Sequence, residues 1–175
     1  MAATDTAPAS QLNIDSARDL ANRMLEAWNA HDTAALLSLM SEDVVYDDAS
    51  WPKRMLGHTE VREFLESTWR AIPDLAFEFD DPLVNPEASQ IANCWRATAT
   101  QTGTWDPPGL APTGRPVKFE GTFVGEFRDG KLRRIRVVYD VAAIMRQLGI
   151  LPEQRSYGER LIIRLANLRT QLRNR

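Results

Sequence analysis

The sequence predicts an α+β fold in which N-terminal helices pack on one face of an antiparallel sheet. Three observations support this prediction. From Ala17 to Ile72, apolar side chains recur every three or four positions, as in helices with one buried face. Further along the chain they recur at every second position, as in strands. The pair Asp129-Gly130 is a hairpin signal, because a type I′ turn needs positive φ at both central positions.

Three helices are expected in the N-terminal part of the chain. Asp15 or Ser16 can cap the first helix, and Asp32 or Thr33 can cap a short second one. The third helix begins near His58. The inward-facing positions are Ala17, Leu20, Ala21, Met24, Leu25 and Trp28 in the first helix, Leu36, Leu37, Leu39 and Met40 in the second, and Val61, Phe64, Leu65, Thr68, Trp69 and Ile72 in the third.

The predicted strands span residues 44–46, 75–79, 90–102, 117–127 and 132–139, and a short helix follows over 141–148. In the strand over 90–102, one face carries Ile91, Asn93, Trp95, Ala97, Ala99 and Gln101. A loop rich in glycine and proline, from Gly103 to Gly114, separates this strand from the hairpin. The sheet therefore forms a meander in the second half of the chain.

The size and charge of the chain exclude several classes of protein. Its 175 residues form one ordinary domain, and 43% of them are apolar, which is enough for a core. A net charge of −3 argues against binding nucleic acid. The N-terminus lacks the basic and apolar regions of a signal peptide, and no apolar run is long enough to span a membrane. We therefore expect a soluble, cytoplasmic protein.

The chain is expected to divide into three segments. Residues 1–13 form a disordered tail, residues 14–152 form the α+β domain, and residues 153–175 form a helical extension. The last helix, over about 157–173, has a narrow apolar seam between arginines. This seam either packs on the same domain or a second copy, or marks a basic amphipathic membrane helix. The seam consists of Leu161, Ile162, Leu165, Leu168 and Leu172.

Several short motifs occur between residues 57 and 149: Gly57-His58-x-x-Val61-x-x-Phe64, Ile72-Pro73-Asp74, Thr113-Gly114-Arg115, Asp129-Gly130-Lys131, Tyr139-Asp140 and Gln147-Leu148-Gly149. With these motifs in this order, the chain resembles the SnoaL-like polyketide cyclases of the nuclear-transport-factor-two-like superfamily, over about residues 15–152. The resemblance implies a cone-shaped barrel, in which a strongly curved antiparallel sheet wraps around the helices and encloses a deep pocket. Such folds are commonly dimers, so we expect a homodimer.

The resemblance also implies where acid/base groups would stand. The founding cyclase carries an aspartate on its last strand and a histidine on the preceding strand. Counted from the shared Asp129-Gly130-Lys131 turn, those positions hold Val137 and Phe123 in this chain. Neither side chain can carry a proton, so the founding mechanism is not inherited in its known form. We expect Phe123 and Val137 to form an apolar pocket floor that contacts the substrate.

Three polar residues remain as catalytic candidates: Asp140, Tyr139 and Tyr46. Asp140 precedes a helix and can cap it, or it can act as a base if it lies partly buried near the pocket. Tyr139 shares the strand face that the resemblance assigns to the cavity, where its hydroxyl can bond a ligand oxygen or a backbone carbonyl. Tyr46 stands where relatives often place a polar pocket residue.

Asp47 and Asp48 follow Tyr46, but they cannot form a paired carboxylate site, because adjacent residues on a strand point to opposite faces. One of them is interpreted as a turn residue. No grouping of histidine, aspartate and glutamate has the spacing of metal ligands, and Cys94 is the only cysteine. We therefore expect neither a metal nor a cofactor.

Three tryptophans and one histidine are further candidates for binding the substrate. Trp95 lies in mid-strand on the cavity-type face, with a plain core role as its alternative. Trp51 and Trp105 fall in loops, where an exposed indole is costly, so they either enter the pocket mouth or cover a dimer contact. His58 follows the loop over 48–57, and a solvated helix terminus is its alternative.

The resemblance, together with an apolar pocket that holds few polar residues, implies an enzyme that needs no cofactor and acts on a hydrophobic polyketide- or terpenoid-like small molecule as a cyclase or isomerase. A non-catalytic module that binds a ligand or forms a dimer is the alternative, favoured by Val137 and Phe123. Resemblance to the epoxide hydrolases of the superfamily implies that such an activity would need an Asp-Arg-Asp arrangement around a water, of which Arg136 and Asp140 could supply two members.

Overall fold

The computed structural model describes residues 13–173, which form five helices and seven strands. The helices are α1 (Ile14–Asn29), α2 (Thr33–Ser38), α3 (Gly57–Ala71), α4 (Val141–Gln147) and α5 (Tyr157–Arg173). The strands are β1 (Met40–Asp48), β2 (Met55–Leu56), β3 (Ala76–Phe79), β4 (Leu83–Asn85), β5 (Gln90–Thr100), β6 (Pro116–Arg128) and β7 (Lys131–Tyr139). The expected tail lies, apart from Asn13, outside the described residues.

The predicted α+β class is confirmed. The strands form one open, curved sheet in the order β2-β1-β7-β6-β5-β3, and β4 pairs with β5. Helices α1, α2 and α3 pack on its buried face and share the core with it. The pairing is antiparallel except between β1 and β7, which are parallel. No hairpin joins β1 to β7, so no turn forces them to be antiparallel.

The period-two pattern of the sequence matches the burial of the sheet. All six residues expected on one face of the strand over 90–102 are buried, including the polar Asn93 in β5 and Gln101 just after its end. The hairpin between β6 and β7 turns at Asp129 and Gly130, with φ of 52° and 78°, as a type I′ turn requires.

The first helix begins earlier than expected, so the cap predicted at Asp15 or Ser16 is wrong. Asn13 is the N-cap, and its side chain accepts a hydrogen bond from the Ser16 backbone N–H at 2.9 Å. The Ser16 hydroxyl in turn accepts a hydrogen bond from the Asn13 N–H at 3.0 Å. Ser16 therefore completes a capping box from inside the first turn. At α2, Asp32 is the cap, as predicted.

Strand β1 is longer than the predicted segment over 44–46 and runs through Asp47 and Asp48. Its pairing with β7 extends to Asp48, which lies opposite Val137. The partner strand therefore keeps these two aspartates in extended conformation, although their composition is typical of turns. Strands β2 and β4 are too short for alternation to reveal them.

Helix α5 spans the predicted residues, but none of its residues is buried. Leu161, Leu165, Leu168 and Leu172 are between 45% and 65% exposed. Their spacing of four, three and four positions is that of a seam between two helices. Because this seam does not pack on its own domain, a second copy of the chain remains its expected partner.

We expect the double substitution Leu165→Glu and Leu168→Glu to convert a dimer into monomers, because it places charges in the apolar seam. Light scattering coupled to size-exclusion chromatography measures the mass. Asn167→Glu with Thr170→Glu adds the same charge on the opposite side of the helix and should leave the dimer intact. A parent chain that is already monomeric would contradict the prediction.

No helix within residues 13–173 is long and apolar enough to cross a membrane.

Candidate active site

A cavity of about 70 Å³ lies between α1, α3 and the buried face of the sheet. Its lining is almost entirely apolar: of the 19 described residues that line it, ten are aromatic and six are aliphatic. The remaining three are Asp48, Ser50 and Thr68, and the Thr68 hydroxyl donates to the Phe64 carbonyl in its own helix. Among residues 13–173, Asp48 is the only lining residue with a carboxylate, so it dominates the electrostatics of the cavity.

The alternation of β1 explains why Asp48 faces the cavity. Tyr46 and Asp48 are two positions apart, so they project from the same face of the strand, and both line the cavity. Asp47 projects from the other face, where it pairs with Arg54 at 2.7 Å. Of two adjacent aspartates, one is therefore a cavity residue and the other a surface ion-pair residue.

The hydrogen bonds of Asp48 are all made through one oxygen. Its Oδ1 accepts from the Tyr139 hydroxyl at 2.7 Å, the Ser50 backbone N–H at 2.8 Å and the Ser50 hydroxyl at 2.7 Å. Within the described part of the chain, Oδ2 accepts no hydrogen bond. The carboxylate is thus held in position by three donors while one oxygen stays available to a ligand.

Burial raises the pKa of the Asp48 carboxyl above its ordinary value, and the hydrogen bonds from Tyr139 and Ser50 lower it in part. Burial and the nearby Asp48 also raise the pKa of Tyr139 and that of Tyr46. Both tyrosines therefore keep their protons at neutral pH, so each hydroxyl is able to donate a hydrogen bond. Tyr139 donates to Asp48, whereas the Tyr46 hydroxyl has no hydrogen-bond partner among residues 13–173.

A connected set of aromatic rings forms the wall opposite the helices. The Trp95 ring contacts the rings of Phe77, Phe119 and Tyr139, with centroids 5.4 to 5.7 Å apart. Gly121 makes this arrangement possible, because a Cβ at this position would overlap the Trp95 indole. The glycine in mid-strand therefore has a packing reason.

The loop over 103–114 closes one side of the cavity with Trp105. The buried Gln101 holds the loop from inside, donating to Gly103 O at 2.7 Å and accepting from Thr113 N at 2.6 Å. The loop also docks on the end of α3, where Gly103 N–H donates to Ala71 O at 3.0 Å. Trp105 thus lines the cavity, and its role in binding a substrate or in covering a dimer contact stays a prediction.

The structure brings six of the nine candidate residues to this cavity. Tyr46, Trp95, Trp105, Phe123, Val137 and Tyr139 all line it. Trp51 does not line the cavity, but its ring packs against the lining residue Phe64, with ring centroids 5.4 Å apart. His58 does not line the cavity, and its Nε2 lies 3.2 Å from the Met40 carbonyl oxygen.

Asp140 lies outside the cavity, and its side chain is exposed. It caps α4 by accepting a hydrogen bond from Ala143 N–H at 2.8 Å. A role as base required partial burial near the pocket, and this condition is not met. Arg136 is also exposed, and no arginine lines the cavity within the described residues, so the arrangement of an epoxide hydrolase is not found.

Asp48 is the site residue that the sequence reasoning missed. A signal was present: Asp48 is two positions after Tyr46, so any strand that aims Tyr46 at the pocket also aims Asp48 there. Asp48 also pairs with Val137 across β1 and β7, and Val137 pairs with Phe123 across β7 and β6. The carboxylate therefore stands in the same row of the sheet as Val137 and Phe123, which occupy the two positions expected for acid/base groups, but on another strand.

Comparison with known proteins identifies the family of this chain. The family model of the SnoaL-like polyketide cyclases matches residues 18–148. No curated protein matches the sequence.

Several solved structures are similar in fold. AclR, a proposed hydroxylase from Streptomyces galilaeus, is 24% identical, with a TM-score of 0.69 over 81% of this chain and 89% of its own. A proposed SnoaL-like polyketide cyclase from Jannaschia sp. CCS1 is 17% identical, with a TM-score of 0.70 over 85% and 99% of the two chains. A proposed polyketide cyclase from Pseudomonas putida is 23% identical, with a TM-score of 0.64 over 75% and 96%.

Proposed function

This chain belongs to the SnoaL-like polyketide cyclase family, and we propose that it is an acid/base enzyme that needs no cofactor. Its substrate is a hydrophobic, polyketide- or terpenoid-like carbonyl compound, and its reaction is an isomerisation or a cyclisation. The observation that carries this proposal is the Asp48 carboxylate, fixed by Tyr139 and Ser50 inside an apolar cavity with Oδ2 free. An ionised carboxylate in such surroundings is a stronger base than one in water.

In the proposed reaction, Oδ2 of Asp48 removes a proton from the carbon next to the substrate carbonyl. The electrons of the broken C–H bond form an enolate, and the Tyr46 hydroxyl donates a hydrogen bond to its oxygen. In an isomerisation, the protonated Asp48 returns the proton to another carbon of the conjugated system. In a cyclisation, the enolate carbon attacks a second carbonyl, and Asp48 gives the proton to the new alkoxide. Both routes regenerate the ionised Asp48.

The size of the cavity limits what enters it. An apolar cavity of about 150 Å³ is known to hold benzene, and this one has about 70 Å³. A substrate therefore inserts its reacting end between the aromatic rings, while a larger skeleton needs the loop over 103–114 to move. Because the walls are rings in contact with one another, the inserted group is held by shape as well as by Asp48.

We expect Tyr139→Phe to shift the acid limb of the pH profile of kcat/KM to higher pH. The Tyr139 hydroxyl lowers the pKa of Asp48, so its loss raises that pKa, and the base is active only when ionised. Turnover of model cyclic enones and 1,3-diketones, measured from pH 4 to 9 (roughly the range in which a perturbed carboxyl titrates), gives the profile. An unmoved limb would remove Tyr139 from the proposed role.

Tyr46→Phe is the matched variant, since it also deletes one tyrosine hydroxyl in the cavity. Tyr46 does not hydrogen-bond to Asp48, so the acid limb should stay in place. The pH-independent value of kcat/KM should instead fall by about 10²–10³-fold, as when one hydrogen-bond donor to a developing oxyanion is removed.

The second candidate is a non-catalytic module that binds an apolar ligand. The apolar residues Val137 and Phe123, which occupy the cavity floor, favour it. The two functions differ in the pH profile: tight binding of the test ketones without conversion at any pH supports the binding module.

A further inference from the structure

We infer that the ligand of this cavity carries a compact cationic ammonium group, which binds between the aromatic rings beside the Asp48 carboxylate. This inference deepens the proposed function by naming a substrate class, an amine-bearing molecule. It rests on the proposed function only in treating the cavity as the ligand site.

The first observation is an unbalanced charge. Asp48 lines the cavity, and among residues 13–173 no lysine, arginine or histidine does so. The adjacent Asp47 does pair with a cation, Arg54, but this ion pair lies on the opposite face of β1 and does not offset the charge of Asp48. Asp48 is partly withdrawn from water, and a carboxylate in such a place is destabilised when no cation offsets its charge. A positively charged ligand would supply the missing partner, whereas an anionic ligand would be repelled.

The second observation concerns the free oxygen. The three donors to Asp48 all bind Oδ1, so the carboxylate is already oriented before a ligand arrives. Oδ2 accepts nothing from the described part of the chain and can therefore face an ammonium group directly. No side chain has to leave Asp48 for the ion pair to form.

The third observation is the composition of the wall. Ten of the 19 lining residues are aromatic, among them Trp28, Trp95 and Trp105. The face of an aromatic ring carries negative potential and attracts a methylated ammonium group, and tryptophan does so most strongly. Aromatic rings would also bind a neutral apolar group, but the carboxylate would not favour such a group. The rings and the carboxylate together therefore select a group that is both hydrophobic and positively charged.

The volume of the cavity agrees with such a group. At about 70 Å³ the cavity is half the size of one that holds benzene, so it admits one compact head of a few atoms. A positive nitrogen next to the reacting carbon would also stabilise the carbanion that forms when Asp48 removes a proton. The cation would also lower the proton affinity of Asp48, but it would hold the carboxyl in the ionised form that the proposed base chemistry needs.

The test compares choline with 3,3-dimethylbutan-1-ol, which has the same shape but carbon in place of the charged nitrogen. Calorimetry and quenching of tryptophan fluorescence on the full chain at pH 7 give the two affinities. We expect choline to bind at least ~10-fold more tightly, and Asp48→Asn to abolish this preference. Asp47→Asn removes the neighbouring carboxylate on the other face of β1 and should leave the preference unchanged.

Equal affinities for the two compounds, or no binding of either, would overturn the inference. A preference for choline that survives in Asp48→Asn would also overturn it, because the charge would then act elsewhere. None of these results bears on acid/base catalysis, which the pH profile with neutral ketones tests separately. The two proposals can therefore fail independently.

Discussion

Replacing Asp48 by asparagine is expected to lower turnover by about 10²–10⁴-fold, the usual contribution of a general base. The amide of asparagine can still accept hydrogen bonds from Tyr139 and Ser50, so the side chain should keep its place. It cannot take up the proton. Steady-state turnover of the best model ketone measures the effect, and an unchanged rate would exclude Asp48 as the base.

Asp140→Asn is the matched control, since it makes the same chemical change at the other aspartate considered for catalysis. Asparagine caps helices as well as aspartate does, so α4 should be retained. Because Asp140 is exposed and lies outside the cavity, turnover should be unchanged. A large loss in Asp140→Asn with none in Asp48→Asn would reverse the assignment.

The stability of Asp48→Asn provides an internal check. Burial raises the pKa of Asp48 in the folded state, so the ionised carboxylate destabilises the fold. This penalty is fully present above the folded pKa and disappears below the unfolded value of about 3.9. The variant should therefore have a higher urea midpoint than the parent at pH 7, and the difference should shrink as the pH falls towards about 4.

Gly103→Ala is expected to give the largest loss of stability among single methyl additions in the cavity-closing loop. A Cβ at this position would overlap the backbone carbonyl of Arg70 at the end of α3. Backbone atoms cannot rotate away, so the loop must shift and the hydrogen bond from Gly103 to Ala71 is strained or lost. Overpacking of this kind costs about 1–3 kcal/mol and sometimes more.

Urea unfolding of Gly103→Ala measures the free energy of unfolding. Quenching of tryptophan fluorescence by acrylamide, compared with and without Trp105→Phe to isolate the signal of Trp105, reports whether the loop has left the cavity. The neighbouring Thr104→Ala removes atoms at an exposed position and should change stability by less than about 0.5 kcal/mol. Equal stability of the Gly103→Ala chain and the parent would show that the loop does not depend on this close approach.

Most of the fold can be predicted from the sequence because most of its elements are determined by residues that are close together in the chain. Alternation in β5 and β6 identifies their buried face, and Asp129-Gly130 sets the hairpin register without knowledge of any distant contact. The exceptions have physical reasons. The strand character of Asp47 and Asp48 depends on pairing with β7, and the start of α1 depends on which side chain reaches the free N–H groups.

The candidate site is less predictable because its central contact is not local. Tyr139 and Asp48 are separated by 91 positions, and only the parallel pairing of β1 with β7 brings them together. The sequence places Tyr139 on the cavity face, but it does not show that an aspartate far away in the chain accepts a hydrogen bond from the Tyr139 hydroxyl. Asp140 is adjacent to Tyr139 in the sequence and is therefore, by sequence alone, a better candidate for the base than Asp48, but its side chain is exposed.

Asp48, Val137 and Phe123 share one level of the sheet on three neighbouring strands. If Asp48 is the base, a carboxylate on β1 stands at the level of the sheet where the founding cyclase carries its acid on the last strand. A comparison limited to the aligned position of Val137 would class this chain as inactive. Comparing chains by which side chains share this level of the sheet would detect the carboxylate on the neighbouring strand.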